Sequence, residues 1–331
     1  MHLNTFFLHH LAPALARRLA GCRVATAFSQ EKDELVVGFA DDDARREVWL
    51  RAVLTGQPTA LGFPAEFRRA RVNSVDVLPE LIDQTVTGAL PHFGERSFHL
   101  TLSGGAALLF KLHGPRANVV WVPPADSARA PVLFRRRLRD DADLTAAHLA
   151  ALTAPAAVAT LAALPPPPDT RTLPRYFGDV PARYLRERGY ETADTATQAT
   201  LWHELTAALL HPAEFPLTEI DGALRLSLLP VGEVRHRFAD PLAAAEEFVR
   251  RFRSTTAFAD LYARAHRHLT RRQEAALRGA DDTAARLHHL ATGASYRQTA
   301  DLIMANLSHI PAGATEVELF DFYTNQPRRV K

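Results

Sequence analysis

Two short stretches of this 331-residue chain gather side chains able to hold an anion. In Gly114-Pro115-Arg116-Ala117-Asn118, a glycine and a proline set a turn inside an otherwise apolar strand pair, FKLHGPRANVVWV. Such a turn can aim successive backbone N–H groups into a concave nest, which Arg116 and Asn118 would flank with side-chain donors. Lys111 and His113 stand just before it. Phosphate or the edge of a nucleotide is the natural guest. The plainer alternative is a tight hairpin whose asparagine holds its own backbone. The second stretch, Phe93-Gly94-Glu95-Arg96-Ser97-Phe98, sets an acid beside an arginine at the start of a strand. Adjacent strand residues face opposite ways, so Glu95 and Arg96 orient one another only where the chain bends, which Gly94 permits. Its plainer alternative is a surface ion pair of little energetic weight.

Other chemistries find less support. Of 15 histidines, His9 and His10 share the opening helix and His288 and His289 a later one, but neighbours on a helix point about 100° apart and make no metal pair. His266 and His268 fall on a long exposed helix. No HExxH, GxSxG or GxxxxGK[ST] pattern occurs. We therefore expect no catalytic residue, no metal site and no cofactor.

Net charge is only +2, and lysine is confined to Lys32, Lys111 and Lys331, so arginine carries the positive charge. Its planar fork suits phosphate. Arg68, Arg69 and Arg71, the run Arg135 to Arg139, and Arg250-Arg251-Phe252-Arg253 are candidate polyanion surfaces, although a solvated face is the ordinary reading of such runs. Arg175 and Arg183 are further candidate phosphate contacts. The single cysteine, Cys22, excludes an internal disulfide and fits a reducing compartment. No apolar run approaches a membrane span and the N-terminus lacks a positive leader, so a cytoplasmic protein without a membrane partner is expected.

The elements that must position these residues follow from periodicity. Leu3, Phe6, Phe7, Leu11, Leu15 and Leu19 have helical spacing, with Gly21 placed to stop the helix. From Cys22 to Leu138 short apolar runs alternate with turns, which predicts an antiparallel sheet domain interrupted at VDVLPELID, with a turn at Ser103-Gly104-Gly105. The alanine-rich DLTAAHLAALTAPAAVATLAAL reads as helix and Pro165 to Pro168 as an extended spacer. TLPRYFGDVPARYLRERGY reads as two short helices around Gly178, followed by a longer helix at TLWHELTAALL. PLTEI and ALRLSLL flank an Asp221-Gly222 hairpin turn. Helix is expected from Pro241 to Leu290 and over YRQTADLIMANLSHI, and TEVELFDFY reads as a closing strand. The expected domains are 1–150, a β-rich domain; 151–212, a helical-hairpin region; 213–240, short strands; and 241–331, a helical arm with its closing strand. The fold class is α+β.

Several stretches together resemble one family. The opening MHLNTFFLHHLAPALARRLAGCRVATAFSQEKDELVVGF, FGERSFHLTL, LLFKLHGPRANVVWV and YRQTADLIMANLSHIPAGATEVELFDFY are similar, in family order, to the NFACT proteins: fibronectin-binding-protein-like or RqcH-like factors, in a Bacteroidetes-type variant. The resemblance implies an N-terminal domain similar to that of formamidopyrimidine-DNA glycosylases, then helix-hairpin-helix elements and a coiled-coil arm. It also implies binding to a large ribosomal subunit that carries obstructed peptidyl-tRNA, and recruitment of alanyl-tRNA to extend the stalled chain with alanine. The family's functional Asp-Arg pair falls on Glu95 and Arg96, with the acid one methylene longer. Its Gly-x-x-Ser-Asn turn falls on Gly114 to Asn118, with Ala117 in place of serine. The same resemblance implies that a C-terminal RNA-binding domain is missing from this chain. Met1-His2-Leu3-Asn4 offers neither the N-terminal proline nor the glutamate of the glycosylases, which argues against base excision. A surface adhesin that binds a matrix protein is the alternative function.

Overall fold

The computed structural model describes residues 3–43, 45–54, 59–92, 94–153, 165–171, 173–292 and 296–331. Helix α1 (Thr5–Leu19) starts at Asn4, whose side chain accepts from Phe7 N. It stops before Gly21, which takes the left-handed conformation at φ 73° that such a stop requires. Its apolar face, including Phe7, Leu11 and Leu15, is fully buried.

Two five-stranded antiparallel sheets follow. The first holds β1 (Arg23–Ser29), β2 (Glu34–Ala40), β3 (Glu47–Val53), β4 (Ala60–Gly62) and β5 (Val75–Asp76) in the order β4-β3-β2-β1-β5. Every residue of β2 is buried, as expected of a central strand covered on both faces. The second holds β6 (Val86–Pro91), β7 (Ser97–Leu102), β8 (Ala107–Lys111), β9 (Asn118–Val122) and β10 (Val132–Leu133) in the order β10-β9-β8-β7-β6. Helix α1 lies against β6 and β7. The expected turn at Ser103–Gly105 is present, with Gly104 at φ 76°. At VDVLPELID the chain makes a single 3-10 turn at Pro79–Leu81.

Beyond the sheets, α2 (Ala146–Leu152) is the described part of the alanine-rich segment; the rest of that reading lies outside the described residues. Helices α3 (Leu173–Tyr176) and α4 (Asp179–Glu187) form the expected hairpin about Gly178, and α5 (Thr195–Leu210) follows. Phe177 at the hairpin stacks on Phe6 of α1 and meets Trp202 of α5 edge-on, so the hairpin is packed into the core. Strands β11 (Phe215–Ile220) and β12 (Ala223–Leu226) turn through Asp221 and Gly222, both at positive φ, as a two-residue hairpin favours. A third strand, β13 (Glu233–Phe238), joins them although its EVRHRF sequence is polar, mostly exposed and gives no strand signal of its own.

Helix α6 (Pro241–Thr292) spans 52 residues. Its first turns bury Leu242, Ala245, Phe248 and Val249 in the main core, and Glu246 accepts a hydrogen bond from Phe63 N at 2.6 Å. The chain divides into two compact units, Met1–Thr255 and Thr256–Lys331. The second unit holds the remainder of α6, α7 (Tyr296–Ala305), and a hairpin of β14 (Val317–Asp321) with β15 (Gln326–Val330). Strand β15 is likewise silent in the sequence: QPRRV carries little apolar signal apart from Val330, which is buried.

No helix among the described residues is long and apolar enough to cross a membrane.

Candidate functional site

Pairing of β7 with β8 sets Ser97 opposite Lys111, so the loop before β7 and the loop after β8 emerge at the same end of the second sheet. The two anion-holding stretches of the sequence therefore meet. Leu112 N donates to Arg96 O at 2.8 Å, and Glu95 Oε2 lies 3.3 Å from His113 Nε2. Gly94 does bend the chain, at φ 77°, yet Glu95 and Arg96 do not pair. Glu95 turns to His113, while Arg96 Nε donates to Leu3 O just ahead of α1 at 3.2 Å. Desolvation lowers the Arg96 pKa, and desolvation also lowers that of His113, opposed by the Glu95 carboxylate. The start of α1 closes the third side: Gly94 N donates to Thr5 Oγ1, which donates to His92 O.

Three expectations about the turn are corrected. No backbone nest is available, because Arg116 N donates to His113 O and Ala117 N to Gly114 O within a 3-10 turn. Asn118 is fully buried and cannot meet an external ligand. Its Oδ1 accepts from Val119 N and Arg135 N, and its Nδ2 donates to Asp141 Oδ2 at 2.8 Å. Lys111 is engaged by Asp141. The asparagine thus holds backbone, as the plainer alternative had it. What the turn presents outward is the side chain of Arg116, exposed and without a hydrogen bond or ion pair to any described residue.

The arginine runs divide in the same way. Arg135 is 5% exposed and donates to the carbonyls of Pro115, Ala117 and Leu54, so it underpins the turn from within. Arg137 pairs with Asp33. Arg250 and Arg251 pair with Glu247 one turn earlier in α6, whereas Arg253 reaches Glu31 and Glu34 and so ties α6 to the first sheet. Arg69 bonds Ser74 and Asp76, and Arg183 bonds Glu187 and Asp221. Arg68 and Arg71 are exposed without a partner among the described residues. The side chain of Arg175 lies outside those described.

Sequence reasoning missed the support beneath the loop. His92, just after β6, and His99, on β7, are buried with Nε2 and Nδ1 2.8 Å apart, and His92 Nδ1 bonds Ser97 Oγ at 2.8 Å. Desolvation pushes both pKa values down to about 4, so both rings are neutral at pH 7. Only the register of β6 against β7 brings them together, and no local pattern signals it. Among the described residues no group of three or more His, Cys, Asp or Glu side chains is placed to hold a metal ion.

This arrangement is a folded scaffold that projects charge from two loops. No protein-family model matches the chain, and no curated protein does. Solved structures do. The fibrinogen-binding protein of Staphylococcus aureus is similar at 10% identity and a TM-score of 0.50, covering 75% of this chain and 99% of that one. The N-terminal part of the fibronectin/fibrinogen-binding protein of Streptococcus suis is similar at 14% identity and a TM-score of 0.51, covering 75% and 98%. The chain thus has the α+β fold of these N-terminal domains, which is the fold that the sequence resemblance implied.

Proposed function

We propose that this protein is a cytosolic RNA-holding factor of ribosome-associated quality control. In this reading it engages the large ribosomal subunit that carries obstructed peptidyl-tRNA and helps to recruit alanyl-tRNA for alanine tailing. It makes no bonds itself and needs neither metal nor cofactor. What supports the reading is the convergence of the Arg96 and Arg116 loops on one end of the second sheet, with Arg116 carrying no internal ion pair. Arginine forks at the rim of a rigid sheet suit phosphate contacts, which position RNA by shape and charge and not by sequence. Co-sedimentation of the protein with large ribosomal subunits, followed by sequencing of the bound tRNA, tests it. Failure to co-sediment at low salt would refute it.

A second reading is favoured by the names of the structural neighbours: a protein that binds fibrinogen or fibronectin. Recovery of the protein chiefly at the cell surface, binding immobilised fibronectin and absent from ribosomes, would establish that reading instead.

A further inference from the structure

The end of the second sheet that carries Arg96 and Arg116 extends beyond those two loops. Because the strands are antiparallel in the order β10-β9-β8-β7, β7 and β9 begin at this end and β8 and β10 finish there. The chain leaving β10 stays close by. Phe134 N donates to Val119 O, Arg135 N to Asn118 Oδ1 and Arg135 Nη1 to Ala117 O, which draws the segment alongside the turn that bears Arg116. Leu138 N then donates to Arg135 O, and a 3-10 turn follows at Arg139–Asp143, from which Asp141 reaches back to Lys111 and Asn118. Arg135 and Asp141 are buried against the sheet. Arg136 and Arg139 are exposed and, like Arg116, make no side-chain hydrogen bond or ion pair with any described residue. Asp140 and Asp143 share the segment. At three residues per turn they form one ridge, on the opposite side of Asp141 from Arg139, and neither pairs with it.

We propose that Arg136 and Arg139 are phosphate contacts that extend the Arg96 and Arg116 site into one rim for the sugar–phosphate backbone of folded RNA. This rests on the RNA reading above and adds where the backbone lies. Width selects the ligand: neighbouring strands are about 4.8 Å apart, so the rim from β7 to β10 runs about 14 Å. That is wider than one phosphate group and fits a run of successive phosphates. Composition separates RNA from an acidic protein partner. In residues 94–98, 111–118 and 134–143, which form the rim, no large apolar side chain is exposed. The rim therefore lacks the apolar or aromatic anchor by which protein interfaces hold a partner, whereas arginine forks alone suffice to position a phosphate backbone.

Binding of labelled tRNA across a range of ionic strengths tests the rim in wild type, in Arg136→Ala/Arg139→Ala and in Arg136→Lys/Arg139→Lys, with folding checked by the unfolding midpoint. The alanine variant should show a log–log salt slope shallower by about 0.7–0.9 for each arginine removed. The lysine variant keeps both charges and should keep the wild-type slope. A folded alanine variant with the slope and affinity of wild type would overturn the proposal and leave the RNA reading standing, whereas absence of tRNA binding by wild type at low salt would remove both. Poly-glutamate that displaces tRNA from wild type as well as single-stranded RNA does, charge for charge, would also overturn the proposal and assign the rim to an acidic protein.

Discussion

Acidification should weaken this fold well before its carboxylates titrate, and the His92–His99 pair should account for a defined part of the loss. Both imidazoles are neutral and buried, with folded pKa values of about 4 against 6.5 for the free side chain. Folded pKa values below the unfolded ones mean that the stabilisation is complete above pH 6.5. It declines as pH falls, because the unfolded state takes up protons that the folded state refuses, and it is gone below about pH 4. At pH 5 the unfolded state gains roughly thirtyfold per imidazole from proton uptake, which is about 2 kcal/mol each. His9, His10 and His113 also have lowered pKa values and contribute in the same window, so the pair must be isolated by difference. Urea unfolding of wild type and of the double variant His92→Leu/His99→Leu, at pH 8 and pH 5, supplies that difference. The wild type should lose about 4 kcal/mol more than the variant between the two pH values. Equal losses in the two proteins would refute the reasoning, since they would place the protons elsewhere.

Other expectations follow from the turn and its support. Asn118→Ala removes four hydrogen bonds around Asp141, Arg135 and Val119 and should cost about 2–3 kcal/mol in chemical denaturation, with groups left buried and unpaired. Arg135→Met frees the carbonyls of Pro115 and Ala117, and should lower stability by about 3 kcal/mol while speeding amide exchange in residues 113–118 beyond that of the rest of the sheet. Arg116→Ala touches no internal partner, so its stability should match wild type within about 0.5 kcal/mol, measured by the same denaturation. Glu95→Gln removes the carboxylate beside His113, so the His113 pKa, followed by NMR titration, should fall further.

Much of the architecture could be read from the chain because it is written in local signals. The opening helix, its Gly21 stop, the Asp221-Gly222 hairpin and the Gly178 hairpin each combine a periodic apolar pattern with residues that suit one backbone conformation. Strands β13 and β15 escape such reading because their sequences are polar, and pairing with a more apolar partner strand, not their own composition, makes them strands. At the candidate site, the meeting of the Glu95 and Arg116 loops depends on the β7–β8 register. The apolar runs mark the strands but not which loops end together. The nest fails for a reason invisible in sequence: the 3-10 turn uses the same two amides that a guest would need. Residue type likewise cannot separate Arg135, held inside, from Arg116, which is chemically identical and points to solvent. Burial separates them, and the burial of Arg135 is set by the distant carbonyl of Leu54 and the carboxylate of Asp33.

The central claim, that RNA is held through arginines at this end of the second sheet, is tested most directly by the salt dependence of tRNA binding. Wild type and the variant Arg96→Ala/Arg116→Ala should be compared across a range of ionic strengths, with folding checked by the unfolding midpoint. The account predicts binding that weakens steeply with salt, and a log–log slope shallower by up to about 1.5–2 in the variant, as expected when two arginines no longer neutralise phosphates. An unchanged slope and affinity in a folded variant would contradict it, as would tRNA binding that is indifferent to salt.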